Sequence, residues 1–100
     1  MIGSIGSRTK ARQHFRRALE LSPEFPENRL VLIEANLGWG ETSAACREIV
    51  ALEKDWSEAR SRFSGANWEP TWADWAARLA AAKTKSEAAS HQPTPSPRNR

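Results

Sequence analysis

The sequence predicts an all-α protein of antiparallel helical hairpins, and three observations carry that prediction. Apolar residues recur at three- and four-residue spacing in successive stretches, the pattern that gathers side chains on one face of a helix. Helix-breaking residues stand between the stretches, with Pro23 and Pro26 after the first, Gly38 and Gly40 after the second, and Ser64-Gly65 and Pro70 before the last. The linkers are short, and short linkers between helices imply antiparallel neighbours.

Residues 1–7 are small, Gly-rich and without periodicity, so a flexible N-terminus is expected there. A helix over about 8–21 carries Ala11, Phe15, Ala18 and Leu19 on one face and Arg8, Arg12 and Arg16 on another; Pro23 disfavours helix at Ser22 and ends it. Pro26 suits the first turn of the next helix, about 26–39, because a missing N–H costs nothing there. Its face is Leu30, Ile33 and Leu37, widened by Val31, Leu32 and Ala35, and Gly38 and Gly40 can take the left-handed conformation that stops a helix. Thr42 or Ser43 can cap a third helix over about 42–55, with Ala45, Ile49 and Leu52 on its inner side. The stretch Trp56 to Phe63 reads as a separate short helix broken by Ser64-Gly65.

A last helix, about 71–85, is signalled by Pro70 and by Thr71 with Asp74 three residues on, the spacing of a capping box. Its stripe is Trp72, Trp75, Leu79 and Ala82, with Asp74, Arg78 and Lys85 expected to face water. Beyond Lys85 the composition turns to Ser, Ala and Pro, so a disordered tail over 86–100 completes a folded domain spanning 8–85.

One hundred residues allow one small domain. A formal charge of +3 and a pI near 9.6 are mildly basic, and acids are interspersed with bases through most of the chain, which is not a nucleic-acid signature. Cys46 is the single cysteine, so no intrachain disulfide can form, and the two histidines, His14 and His91, are too far apart in sequence to suggest a metal cluster. No cofactor is expected. As written, the N-terminus has neither a basic leader nor a long apolar core, and no apolar run approaches the length of a membrane span. The expectation is a cytoplasmic protein without membrane contact, or an exported one if the true N-terminus lies upstream of Met1.

Set against itself at an offset of 34, the chain aligns Gly6 with Gly40, Ala11 with Ala45, Phe15 with Ile49, Ala18 with Leu52 and Glu24 with Glu58. That offset is the period of a helix-turn-helix repeat. On these residues the chain resembles a bacterial-type tetratricopeptide-repeat (TPR) protein over roughly Gly6 to Ala59. Ala11, Phe15, Ala18 and Pro23 match the small, aromatic, small and proline positions of the second helix of that repeat. The next unit, Pro26 to Ala59, matches at Leu32, Gly40 and Ala45 but departs at Arg29, Ile33, Asn36 and Ser57, where Trp, a small residue, Tyr and Pro are usual. The resemblance implies a non-enzymatic scaffold or adaptor that binds another protein, with the Trp-rich last helix capping the open end. Arrays of this kind need about three units for stability, so it also implies a piece of a longer protein, or a subunit completed by a partner.

The resemblance places a partner groove along Glu27, Leu30, Glu34, Leu37 and Gly38, suited to an apolar or mildly basic ligand; the competing reading packs these positions against the last helix. The Arg8, Arg12 and Arg16 stripe, with Lys10 and Arg17 beside it, is the alternative site: it could contact nucleic acid or an anionic surface, or be a solvated face. Five tryptophans could stack on bases, but helical spacing at Trp72 and Trp75 favours a core or cap role. Cys46 reads as a small buried residue and His14 as a lone flank residue, so no enzyme is expected. Ala11, Phe15 and Leu19 should be covered on one side only, predicting self-association or marginal stability.

Overall fold

The computed structural model of the protein describes residues 3–91, with side chains over 8–89. In that span the chain is all-helical: α1 (Gly3–Leu21), α2 (Pro26–Gly38), α3 (Thr42–Arg62), a 3-10 turn (Ala66–Trp68) and α4 (Glu69–His91). No helix among the described residues is long and apolar enough to cross a membrane.

Local chemistry explains most of the boundaries. Pro26 occupies the first turn of α2 behind an extended Phe25. At the other end Gly38 remains helical, and Gly40, at φ 79°, makes the left-handed turn. Around it the Glu41 N–H donates to the Asn36 carbonyl at 2.8 Å and the Gly40 N–H to that of Leu37 at 3.1 Å, so carbonyls left over at the helix end find partners. Thr42 is the first residue of α3 rather than its cap, and Glu41 before it makes no side-chain capping bond.

Four boundaries differ from the sequence reading. α3 does not stop near Asp55: Ala45, Ile49, Leu52, Trp56, Ala59 and Phe63 continue one three- and four-residue stripe, and no Pro or Gly interrupts it before Gly65, at φ 121°. α4 starts at Glu69, so Thr71 and Asp74 lie inside its first turns and do not cap it. The helix also runs on to His91, through alanines whose helix propensity is the highest of any residue. Of the expected flexible N-terminus, residues 3–7 belong to α1. Of the expected tail, 86–91 belong to α4 and 92–100 lie outside the described residues.

The core lies between α2, α3 and α4. Leu30 and Ile33 from α2, Ala45, Ile49, Leu52 and Ala59 from α3, and Trp72, Trp75 and Ala82 from α4 form one buried cluster. Cys46 meets Ser86 and Trp56 meets Trp72, so α3 and α4 run antiparallel. Glu27 meets Trp75 and Glu34 meets Arg78, so α2 and α4 run parallel.

Among the helices, α1 packs against α2 alone. Its Ala11, Phe15, Ala18 and Leu19 are only half-buried, and Leu21 is 73% exposed. Polar contacts secure it at its middle and at its C-terminal end: Arg12 Nη2 donates to Glu41 Oε2 at 3.0 Å, and Asn28 Nδ2 donates to the carbonyls of Ala18 and Ser22 at 3.1 and 3.2 Å. Leu32 and Asn36, both buried on α2, lie outside the main core cluster. Asn36 is 3% exposed, and its Oδ1 accepts no hydrogen bond. A buried acceptor without a donor costs about 1–3 kcal/mol, so part of the surface of α2 outside the main core is poorly satisfied.

Candidate functional site

The groove expected along α2 is filled by α4. Glu27 stands in the first turn of α2, where the helix dipole favours a carboxylate. Its Oε1 accepts from Trp75 Nε1 at 3.0 Å and from Arg78 Nη1 at 2.7 Å. Two turns on, Glu34 takes the same guanidinium in a two-pronged pair, from Nε at 2.9 Å and Nη2 at 2.8 Å. Asp74 adds a weaker contact to Arg78 Nη1 at 3.3 Å.

Arg78 is therefore not the water-facing residue its spacing predicted: its side chain is 24% exposed and joins three carboxylates. The Arg78 hydrogen bond, helped by that of Trp75 and by the guanidinium charge, holds the Glu27 carboxyl below its usual pKa against the opposing effect of burial. The two glutamates in turn raise the pKa of Arg78, chiefly through their hydrogen bonds. A planar guanidinium held this way is a geometric key as well as a charge.

The remaining groove positions follow the same layout. Leu30 is completely buried in the core. Leu37, with Glu34, lines what remains open, a cleft of about 150 Å³ closed on the far side by Arg78, Ala81, Ala82 and Lys85. Gly38 stands exposed at the end of α2, with open space where a Cβ would be. The side chains that meet the carboxylates of α2 are Trp75 and Arg78 of the same chain.

The tryptophans of α4 are core residues. Trp72 and Trp75 are each 2% exposed and meet edge to face, with ring centroids 4.8 Å apart. Trp75 also meets Phe25 at 5.3 Å, and Trp72 meets Trp56 at 5.1 Å. Both indole N–H groups are satisfied, that of Trp72 by the Phe63 carbonyl at 2.6 Å. An indole so enclosed has no face left for a base to stack on.

The arginine stripe divides. Arg8 and Arg12 lie over the Trp39 ring, at 5.8 and 4.9 Å from its centroid, and Arg12 pairs with Glu41. Arg16 is exposed, as are Lys10 and Arg17, and no carboxylate among the described residues pairs with any of the three. The role of Trp39 as a platform for α1 has no periodic signal in the sequence, because it lies in a turn distant from its arginines.

Cys46 is half-buried, its Sγ 3.1 Å from Ser86 Oγ, and His14 is exposed on α1. Among the described residues no three His, Cys, Asp or Glu side chains gather where they could hold a metal ion. Comparison with protein families, with characterised proteins and with solved structures returns no match to this chain. The tetratricopeptide likeness rests on the residues that carry the 34-residue offset.

Proposed function

We propose that this chain is a non-enzymatic protein-interaction module of tetratricopeptide type, in which α4 is the lid over α2 and α3, and α1 is the side offered to a partner. One observation carries this reading: α2, α3 and α4 share a buried core, whereas α1, which among the helices packs against α2 alone, keeps a half-covered apolar stripe. Half-covered apolar surface rimmed by polar groups is the usual mark of an interaction face. The groove on α2 is not that face here, because Trp75 and Arg78 of the same chain occupy it.

A photo-crosslinking side chain at the exposed Gln13 of α1, compared with one at Val50, which is 64% exposed on α3, tests the reading in cells. A discrete polypeptide adduct from Gln13, absent from Val50 and resistant to nuclease, is expected. Absence of an α1-specific polypeptide adduct would overturn the proposal.

A second reading, a binder of nucleic acid or anionic surfaces through Arg8, Arg12 and Arg16, is favoured by the concentration of charge on α1. Between Arg8 and Leu21, five basic side chains face the single acid Glu20, so this helix carries more positive charge than the chain's net +3. Salt separates the two: phosphate binding falls steeply with ionic strength, whereas a largely apolar polypeptide contact does not.

A further inference from the structure

Asn28 and Trp39 mark the side of α2 that α1 covers. Asn28 Nδ2 donates to the Ala18 and Ser22 carbonyls, and Arg8 and Arg12 lie over the Trp39 ring. Helical spacing puts Leu32 in the row between them, and Leu32 is buried although it lies outside the main core cluster. Asn36 stands at the edge of that row, one turn beyond Leu32 and three residues before Trp39. On its other side is Arg29, whose partner Glu48 belongs to α3. Asn36 is buried, and its Oδ1 accepts no hydrogen bond.

From this buried orphan acceptor we infer that α1 is a releasable strap, that Asn36 sets how readily it lifts, and that the lifted form is the one a partner captures. The inference rests on the reading of α1 as the interaction side and assigns the regulation of that side. With α1 in place, the Asn36 carbonyl is cut off from water and no donor replaces it. With α1 lifted, water supplies the missing donor, so the penalty falls on the closed form.

Little opposes the lifting. Among the helices α1 packs against α2 alone, and its apolar residues are half-buried. The Arg12–Glu41 pair is partly exposed, the setting in which an ion pair contributes least. The far side of the hinge is firm: Phe25 meets Phe63 at 5.4 Å and Trp75 at 5.3 Å, which ties the start of α2 to the ends of α3 and α4 nearest it. Motion is thereby confined to α1 and the turn that follows it. Lifting bares the whole face of Ala11, Phe15, Ala18 and Leu19, which the closed form leaves only partly reachable. A partner that needs this face binds the open fraction, and its apparent affinity is reduced by that fraction.

Two substitutions in the full chain move the strap in opposite directions. Asn36→Leu keeps the branched shape of the side chain and removes the orphan acceptor. It is expected to slow amide exchange over the described part of α1 by about ten-fold at unchanged helicity. Asn28→Ala removes the donor to two carbonyls at the C-terminal end of α1 and is expected to speed that exchange several-fold. In the Gln13 photo-crosslinking assay, the polypeptide adduct should fall in Asn36→Leu and rise in Asn28→Ala, following the open fraction.

Unchanged or faster exchange of α1 in Asn36→Leu would overturn the strap, because α3 rather than α1 would then shield the amide. Slower exchange of α1 with an undiminished adduct would overturn the open form as the one captured. An adduct from Gln13 together with unchanged exchange would remove the strap and leave the interaction reading intact. Opposite shifts of α1 exchange in the two variants without any adduct in cells would do the reverse.

Discussion

Trp75 and Arg78 determine whether α4 stays in the groove of α2, and they act through different physics. Trp75 is enclosed by Phe25 and Trp72 and donates to Glu27, so truncation leaves a large cavity and removes one of the donors to a half-exposed carboxylate. Trp75→Ala is expected to cost about 3–5 kcal/mol, the range for removing a buried aromatic, and calorimetry or a urea melt reads it as a large loss of stability. An unchanged melting temperature with lost partner binding would instead make α4 a recognition surface. Arg78→Ala breaks pairs whose carboxylates are 40% and 42% exposed, so solvent screens much of their attraction. Its expected cost is about 1 kcal/mol in dilute buffer, smaller at high salt. Glu27 links the same contact to pH. Its pKa is lowered by folding, so the stability it contributes is fully present above its ordinary value of 4.5 and is lost as the pH falls through its folded value. Urea melts between about pH 6 and pH 3 should show wild-type stability falling by more than that of Glu27→Gln; parallel curves would remove Glu27 from the account.

At the scale of elements, α1 is the one held by few contacts. Trp39→Ala removes the ring beneath Arg8 and Arg12, and each cation–π contact at an exposed site is worth about 0.5–1 kcal/mol. The expected result is faster amide exchange over the described part of α1 with little change in the protection of α2, α3 and α4; uniform destabilisation of all four helices would show that α1 is not a separate unit. Existence and order of the helices were legible in the sequence because apolar spacing and proline and glycine positions act locally. The junction at Trp56 was not: a change of surface composition there resembles a helix end, while the stripe through Ala59 and Phe63 and the absence of a breaker keep α3 intact. The start of α4 was misplaced for a related reason. A threonine and an acid three residues apart form a capping box only at a terminus, and here the chain enters helix at Glu69, straight from the turn over Ala66–Trp68. The candidate groove was legible as a row of residues, but not its occupant. That depends on Arg78 meeting Glu27 and Glu34 across more than forty positions of sequence, a pairing no helical period encodes.

On the scale of the whole molecule, the charge and the burial divide along the same line. α2, α3 and α4 cover one another and pair Glu27, Glu34, Glu48 and Glu53 with their own cations, whereas α1 holds a surplus of positive charge beside a half-covered apolar strip. That division is the central claim, and residue-resolved hydrogen exchange of the full chain tests it most directly. The account predicts two levels of protection, with the buried amides of α2, α3 and α4 exchanging together through global unfolding and those of α1 exchanging sooner through local opening. Protection of α1 equal to that of the other helices in the free protein, or an α4 that opens before α1, would contradict it.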